Sequence, residues 1–218
     1  MHDDRVSCMM GKPGGMDNMQ GMTMVSNLNE PRSGSLPGAY PVELVEVVTL
    51  QDGAAVTLRP IRPDDAPLLR TGFQYLSAES IFFRFLEAYK ELPERLAIRL
   101  SNVDYLRNMA IVAEIDQESG SRLIGVARYG WIESMEPGLA ECGIIVADDY
   151  QGRGLGTLLM DRLTSYARQH HVRYFLANVH SSNTRIIDFI EKTGLPYAKL
   201  MVEPGLWEIR IALNPAGE

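Results

Sequence analysis

The sequence predicts a mixed α/β fold, in which a twisted and mostly antiparallel sheet is flanked by helices. Segments that alternate apolar and polar residues, as half-buried strands do, are interspersed with segments whose apolar residues recur at helical spacing. Their order is a strand, then helices, then three strands in a meander, and finally helix, strand, helix and strand. The last part of this order requires one parallel crossover, because a helix connects two neighbouring strands there.

Composition limits the classes of function that fit the chain. It has 218 residues, of which 45% are hydrophobic and 22% charged, as is typical of one soluble globular domain with or without a tail. A net charge of −7 without a basic stripe argues against a nucleic-acid or anionic-membrane partner. No apolar stretch reaches transmembrane length. Cys8 and Cys142 form neither a disulfide framework nor a zinc motif, so we expect a cytoplasmic protein without a structural metal.

Residues 1–38 differ from the rest of the chain. They are rich in Met, Gly, Asn, Ser and Pro and show neither helical nor strand periodicity. Such a segment cannot bury enough apolar surface to offset its conformational entropy, so we predict a disordered tail. It lacks the continuous apolar core of a signal peptide. Its methionines would suit copper(I), but no His or Cys cluster accompanies them. The folded domain is therefore expected over residues 40–214.

The first half of this domain is predicted to begin with a strand and to continue with three helices. Alternating residues indicate the strand, and Asp64 or Asp65 is expected to cap the first helix, with Pro67 in its first turn. The second helix starts at a Ser-x-x-Ser sequence and has aromatic residues at helical spacing. The predicted bounds are 54–61 for the strand and 62–76, 77–92 and 93–102 for the helices.

Three strands are predicted next. The first two, 108–116 and 122–132, flank a turn rich in Gly and Ser, which is typical of an antiparallel hairpin. The third strand, 139–147, follows the turn at Pro137 and Gly138 and leads directly into a glycine-rich stretch.

The last part of the domain alternates helices and strands. A helix follows the glycines and ends at about His170, and a strand follows it over 173–180. The next helix, 183–194, has an Asn as its N-cap and a Gly as its stop signal. A strand over 206–213 completes the predicted sheet.

The glycine-rich stretch, residues 148–160, joins the last strand of the meander to the following helix. A strand, a glycine loop and a helix in this order turn unpaired backbone N–H groups and the positive end of the helix dipole toward an anion. A nucleoside-triphosphate loop would need Gly-Lys-Ser/Thr, but Gly156 is followed by Thr157 and Leu158. A dinucleotide fingerprint also fails, because Thr157 or Leu159 occupies the place of its third glycine.

A third class of anion loop fits the stretch. Residues 151–156 read Gln-x-x-Gly-x-Gly and resemble the acyl-CoA pyrophosphate loop of the GNAT superfamily of N-acetyltransferases. The resemblance implies a GNAT-like sheet whose central strands splay apart to form the acyl-CoA cleft, and a pyrophosphate bound by backbone amides without a lysine. The alternative is a tight strand-to-helix turn without a ligand. By the resemblance, the binding residues are Gln151, Gly152, Arg153, Gly154, Leu155 and Gly156.

The helix after the loop also matches this superfamily. The resemblance predicts a helix opened by Asn eleven residues before a glycine, and Asn183 and Gly194 have this separation. It implies that Asn183, besides capping the helix, binds the pantetheine arm of coenzyme A. Phe189 is expected in the core or in the cleft wall. The strand amides expected to hold the pantetheine and to polarise the thioester are those of Ile144, Ile145 and Val146.

Glu141 is the candidate general base. The resemblance predicts a carboxylate on the strand before the loop, and Glu141 supplies it. Strand alternation places it on one face with Gly143 and Ile145, while Cys142 and Ile144 lie on the other. A partly dry cleft would raise its pKa into the working range of a general base. The alternative is an exposed acid or the partner of an arginine.

A wider resemblance narrows the subfamily. Residues 40–86, 102–115 and 124–129 look like the acetyltransferase domain of bacterial Pat-type protein lysine acetyltransferases, and the likeness covers nearly all of 40–213. It implies acetyl-CoA as the donor and a protein lysine as the acceptor, with an acyl-CoA synthetase as the expected partner. Larger members carry a synthetase-related or cyclic-nucleotide domain, for which this chain has no room.

One departure from the superfamily concerns the general acid. Many members that act on small amines place a Tyr seven residues after the helix-opening Asn, where this chain has Ile190. Tyr150, Tyr197 and His180 are candidate proton donors by residue type alone. Arg84, in the second predicted helix, is interpreted as a surface charge or as a contact to an acidic patch of the acceptor.

Three functions remain open at this point. The first is an acetyl-CoA-dependent protein lysine N-acetyltransferase, in which Glu141 takes the proton of the attacking amine. The second is an N-acetyltransferase for a small amine. The third is a non-catalytic acyl-CoA sensor, against which the carboxylate at Glu141 counts.

Overall fold

The computed structural model describes residues 39–118, 120–133 and 136–214, so the predicted tail over 1–38 lies outside the described residues. Within the described part, the chain forms one eight-stranded mixed sheet with helices on both faces. The elements are β1 (Glu46–Thr49), β2 (Ala55–Pro60), α1 (Ala66–Phe73), α2 (Ala78–Phe85), α3 (Glu94–Ser101), β3 (Asn108–Gln117), β4 (Gly120–Trp131), β5 (Leu139–Val146), α4 (Leu155–Gln169), β6 (Tyr174–His180), α5 (Thr184–Lys192), β7 (Tyr197–Glu203) and β8 (Leu206–Ala212).

The sheet confirms the predicted topology. Its strand order is β1-β2-β3-β4-β5-β6-β8-β7, and every described pair is antiparallel except β5 with β6. This parallel pair is short, since it joins only Leu139–Glu141 to Tyr174–Leu176. Beyond Glu141 the two strands no longer pair, although β5 continues to Val146 and β6 to His180. The central strands are therefore splayed, as the sequence predicted.

The core lies on both faces of the sheet. On one face α4 packs on β3, β4 and β5, and a Cβ added to Gly125 of β4 would lie 2.9 Å from the Leu159 side chain of this helix. On the other face α1, α2 and α3 bury a second apolar cluster that includes Phe73, Phe85 and Leu96. Different helices therefore cover the two faces of the sheet. The splayed end of β5 lies between α4 on one face and the α1–α3 helices on the other.

Helix α2 is shorter than predicted. It ends at Phe85, because Leu86 adopts a left-handed conformation with φ 55°. The sequence prediction extended this helix to residue 92. Apolar residues after the break, Tyr89 and Leu92, still pack against the α1–α3 cluster, but they do so from a loop. Their apolar spacing is compatible with helical periodicity, and for this reason the sequence prediction extended the helix too far.

The sequence analysis missed two edge strands, β1 and β7. Strand β7 is exposed at nearly every position, so it lacks the alternation that identifies a half-buried strand. Strand β1 has only four residues. The first helix also differs in detail, because Asp65 does not cap it with its side chain. Its carboxylate instead accepts hydrogen bonds from the guanidinium of Arg59 and from the backbone N–H of Arg62.

Candidate active site

A cleft opens where β5 and β6 stop pairing. The cavity has a volume of about 670 Å³ and lies between the splayed ends of these two strands. Its other walls are α4, α5 and the part of α2 that carries Glu79, Ser80, Phe83 and Arg84. Most of the predicted cofactor-binding residues line it. They are Ile144, Ile145, Val146, Gln151, Gly152, Gly154, Gly156, Asn183 and Phe189.

The glycine loop brings bare backbone to this cleft. Gly152 and Gly154 have φ of 75° and 86°, in the left-handed region that favours glycine. Gly154 is the N-cap of α4, so the first turn of the helix begins without a capping side chain. A Cβ on Gly156 would lie 3.7 Å from both Ile144 and Phe189, which shows that Gly156 stands between β5 and α5. The site therefore presents helix N–H groups and a positive dipole end, which suit an anion such as a pyrophosphate.

Gln151 holds the loop to its surroundings with its side chain. Its Nε2 donates to the Val146 carbonyl at 3.1 Å and to Asp148 Oδ1 at 3.0 Å. Its Oε1 accepts from Arg185 Nη1 of α5 at 3.4 Å. The backbone N–H of Gln151 also donates, to the Asp148 carbonyl at 3.3 Å, so both the side chain and the backbone of Gln151 are engaged in structural bonds.

Two residues of the predicted loop do not line the cavity. Arg153 forms an ion pair with Asp52, at 2.7 Å, and its guanidinium lies 4.7 Å from the ring centre of Tyr150. Leu155 is buried in the core. Side chains of these two residues therefore support the loop from outside, and a contribution to ligand binding would come from their backbone.

The edge of β5 presents its backbone to the cleft at alternate residues. The N–H of Ala147 donates to Ile124 at 2.8 Å on the β4 side, and the Val146 carbonyl accepts from Gln151 on the opposite side. Since backbone groups alternate along a strand, Ile144 and Val146 direct theirs toward the cleft, while Ile145 pairs with β4. Two of the three predicted strand amides therefore face the site.

Helix α5 supplies the opposite wall. Asn183 accepts a hydrogen bond from the Ile186 N–H at 3.3 Å through its Oδ1, so it caps the helix as predicted. This cap leaves the side-chain NH₂ as a donor beside the cleft. Phe189 lines the cavity nearly two helical turns after Asn183, and Ile190 is buried in the core.

Glu141 lies just outside the cavity lining, at the last residue before β5 and β6 separate. It hydrogen-bonds the side chain of Asn178, a residue of β6 that does line the cleft. Burial raises the pKa of Glu141 above its ordinary value, although Arg84, the Asn178 hydrogen bond and Arg128 all act to lower it. A carboxyl with these surroundings can accept a proton near the working pH of an enzyme.

Asn178 was not predicted from the sequence, and Arg84 has another environment than the surface position or acceptor contact that was expected of it. A parallel register that pairs Glu141 with Leu176 places Asn178 on the same face, two residues along, but this register is not visible in the sequence. Arg84 is no free surface charge: its guanidinium lies over Gly143, where an added Cβ would come within 2.9 Å of Cζ. Burial lowers the pKa of Arg84 and the Glu141 charge opposes this effect.

None of the three candidate proton donors lines the cavity formed by the described residues. His180 Nδ1 is 2.7 Å from Ser182 Oγ, and its ring packs against the rings of Phe82 and Phe83 of α2. The Tyr197 hydroxyl donates to Glu191 Oε1 at 3.0 Å, and this bond raises the pKa of the tyrosine. The ring of Tyr150 is covered by Arg153. Each side chain thus has a structural role where it stands.

Neither a metal cluster nor a membrane-spanning helix is present among the described residues. No group of three or more His, Cys, Asp or Glu side chains in residues 39–118, 120–133 and 136–214 is placed to hold a metal ion. Among the helices of these same ranges, none is long and apolar enough to cross a membrane.

Comparison with known proteins shows the family of this chain. The family model described as acetyltransferase (GNAT) family matches residues 75–195. A Pseudomonas aeruginosa protein named as an acetyltransferase is 35% identical over 142 residues, which are 65% of this chain and 75% of that protein. The acetyltransferase Pat of Mycolicibacterium smegmatis is 29% identical over 153 residues, which are 70% of this chain and 44% of that protein.

Solved structures show the same likeness. The GNAT domain of S. lividans PAT superposes with a TM-score of 0.72 at 28% identity, covering 79% of this chain and 99% of that domain. A Salmonella typhimurium structure with its cofactor acetyl-CoA has a TM-score of 0.53 at 20% identity over 76% of this chain and 98% of that one, which shows a shared fold. GNAT acetyltransferases use acetyl-CoA as the acyl donor. Together, the splayed sheet, the glycine loop and the match over residues 75–195 show that this chain belongs to the GNAT acetyltransferase family.

Proposed function

We propose that this protein transfers the acetyl group of acetyl-CoA to a lysine side chain of a protein, with Glu141 as the general base. The acceptor that we propose is an acyl-CoA synthetase, which would place the activity in the cytoplasm. The observation that carries the proposal is the position of Glu141. Its carboxyl is largely buried at the point where β5 and β6 diverge, and it is held by Asn178 at the wall of the cleft.

The proposed mechanism follows from the chemistry of the amine. A lysine ammonium, with a pKa of about 10.4, has no lone pair and cannot attack a thioester until it loses a proton. Glu141 accepts that proton, directly or through a water molecule. The amine nitrogen then forms a bond to the acetyl carbonyl carbon and the C–S bond breaks. The nitrogen loses its second proton, which passes to the departing sulfur, so that coenzyme A leaves as the thiol. Backbone N–H groups of Ile144 and Val146 face the cleft, where they can hold the pantetheine arm and polarise the thioester oxygen.

The phosphate end of the donor is proposed to bind at the glycine loop. The backbone amides of residues 152–156 and the dipole of α4 provide the positive field there. We propose that Asn183 donates to the pantetheine arm, since its cap uses only the Oδ1 oxygen. Phe189 and Gly156 shape the passage between β5 and α5.

Similarity to Pat proteins supports the choice of a protein acceptor. A small amine is the second candidate, because L-methionine sulfoximine/L-methionine sulfone acetyltransferases of Pseudomonas are 26% identical to this chain over 119 residues. That match covers 54% of this chain and 69% of those proteins. The Pat structure superposes over a larger share of the chain, 79%, and this favours the protein acceptor.

The test is an acetylation assay with both acceptor classes. The purified protein is incubated with acetyl-CoA and a purified acyl-CoA synthetase, and acetyl-lysine is measured by mass spectrometry. A panel of amino acids, polyamines and aminoglycosides is assayed in parallel for released thiol. We expect acetyl-lysine on the synthetase, and at least about a hundredfold less of it with the Glu141→Gln variant. Acetylation of the amines without labelling of the protein would overturn the proposed acceptor, and the absence of any turnover would indicate a sensor.

A further inference from the structure

We infer that Arg84 of α2 is a positioning residue for Glu141, which it holds at the divergence of β5 and β6 through a slot made by Gly143. This inference rests on the proposed function, because Glu141 is the base in that proposal. It concerns a residue on a different element from the base, on the face of the sheet opposite α4.

The slot is a glycine on the same face of β5 as Glu141. Side chains two residues apart in a strand share a face, so the missing side chain of Gly143 leaves space next to that of Glu141. The Arg84 guanidinium fills this space. A Cβ on Gly143 would lie 2.9 Å from its Cζ, 3.0 Å from Nη2 and 3.2 Å from Nη1. Glycine weakens a strand interior, and one reason to find it there is the close approach of another group.

The charges around Glu141 come from several elements. Arg84 reaches it from α2 and Arg128 from β4, where Arg128 is the direct cross-strand partner of Gly143. Asn178 hydrogen-bonds it from β6, and the thiol of Cys142, whose own pKa is raised by burial to about 12, is its neighbour on β5. From α3, Arg99 acts on Arg128. Arg84 is the strongest of the influences that lower the pKa of Glu141.

Arg84 therefore opposes the effect of burial on the base. A fully desolvated carboxyl would stay protonated at neutral pH and could not accept a proton. A guanidinium beside it favours the carboxylate without itself losing a proton, because arginine stays charged. Burial therefore makes Glu141 a stronger base, while Arg84 keeps it ionised and able to accept the proton of the amine.

Helix α2 is fixed so that Arg84 stays over the slot. Its N-cap, Ser77, accepts a hydrogen bond from the Ser80 N–H at 3.1 Å. Asp148, just after β5, accepts from the Ser77 N–H at 2.5 Å and from the Ser80 hydroxyl at 2.6 Å. These bonds tie the start of α2 to the end of the strand that carries Glu141 and Gly143.

The test compares Arg84→Met with Arg84→Lys and with the control Arg70→Met, an exposed arginine on α1. The dependence of kcat/KM on pH is measured, and the Glu141 carboxyl is titrated by ¹³C NMR in each variant. We expect Arg84→Met to raise the pKa of Glu141, both in the NMR titration and in the acid limb, which is the fall of kcat/KM at low pH. At a pH below this raised pKa, kcat/KM should be lower than that of the parent by about threefold or more, and well above it the two should agree. Arg84→Lys should recover part of this loss, and Arg70→Met should match the parent. A thermal melt confirms that each variant is folded.

Gly143→Ala provides an independent variant, because its methyl group would displace the guanidinium. It should shift the acid limb in the same direction, and it should have no further effect in combination with Arg84→Met. An unchanged limb and an unchanged NMR titration in Arg84→Met would overturn the inference, as would an equal loss of rate at every pH. If Glu141→Gln retained full turnover, the proposed base would be wrong, while the NMR titration would still decide whether Arg84 acts on Glu141.

Discussion

The carboxyl of Glu141 has a raised pKa, with burial as the main cause and with Arg84, the Asn178 hydrogen bond and Arg128 opposing it. A base works only when deprotonated, so kcat/KM should fall as the pH drops through a value above the ordinary range of a glutamate. Glu141→Gln should lower kcat by about 10²–10⁴-fold and remove this acid limb, with acetyl-CoA binding retained. Steady-state rates over pH 5–9, with binding by calorimetry, provide the measurement.

The same raised pKa has a consequence for stability. A carboxyl whose folded pKa exceeds its unfolded pKa favours the folded state at low pH, and this contribution is lost as the pH rises through the folded value. The melting temperature of Glu141→Gln should therefore rise relative to that of the parent as the pH is raised from 4 to 8. Glu118→Gln, an exposed residue near the β3–β4 turn, is the matched control and should change neither rate nor stability. A Glu141→Gln enzyme with parental turnover would contradict the assignment.

Gly154 and Gly53 form a natural pair for a test of the glycine loop. Both have left-handed backbones, with φ of 86° and 87°, and alanine there costs about 1–2 kcal/mol of strain. Only Gly154 stands at the cleft, where a Cβ would lie 3.3 Å from Gln51, whereas Gly53 has open space around it. Both alanine variants should lower the free energy of unfolding to a similar extent. Only Gly154→Ala should weaken acetyl-CoA binding, by about tenfold or more, in a calorimetric titration. Equal affinities for the two variants would refute the loop assignment.

At the residue scale, the sequence identified the parts of the site that have a local signature. The glycines and Asn183 stand in a spacing that can be counted, and Glu141 stands on the strand before them. Asn178 and Arg84 have no such signature, because their relation to Glu141 depends on a three-residue parallel register and on where α2 crosses the sheet. Sequence spacing cannot supply either of these.

At the scale of elements, α2 and the glycine loop are joined through Asp148. This carboxylate accepts from Ser77, Ser80 and Gln151, and thus links the start of α2 to the loop that follows β5. Asp148→Ala should lower the free energy of unfolding by about 1–2 kcal/mol, since it removes hydrogen bonds to a charged acceptor. It should also weaken acetyl-CoA binding, because Gln151 loses one of its supports. Urea denaturation and calorimetry measure the two effects. The control Asp188→Ala, on the exposed side of α5, should produce neither effect. An Asp148→Ala variant with the stability and the affinity of the parent would show that the link has no effect.

Elements with strong periodicity or clear caps were predictable, and the edges of the sheet were not. The α5 helix has both an Asn cap and a Gly stop, and its predicted position agrees with the structure. Strand β7 was missed because a strand exposed on both faces has no apolar alternation. The end of α2 was missed because Leu86 adopts a left-handed backbone conformation, which is uncommon for leucine and cannot be predicted from its residue type.

At the scale of the whole molecule, a buried ion cluster joins the sheet to the helices of one face. The Arg59 guanidinium of β2 binds both oxygens of Asp65, at 2.7 and 2.8 Å, and Glu114 of β3 at 2.5 Å. Arg59→Met leaves the buried Asp65 carboxylate without its counter-charge and should cost about 3–5 kcal/mol. Arg107→Met breaks an exposed pair with Glu133 and should cost about 1 kcal/mol or less. Urea denaturation compares the two, and equal costs would show that the cluster contributes no more than a surface pair.

The short β5–β6 pairing divides the described sheet into two parts, or plates, that are joined at a three-residue seam. Five strands lie on one side of it and three on the other, and the seam itself is closed by the pairing of Leu139–Glu141 with Tyr174–Leu176. Past that point, a ligand lying between the plates would touch both of them and act as a wedge that resists their relative motion. We therefore expect amide hydrogen exchange at the two strand ends to slow when the cleft is filled.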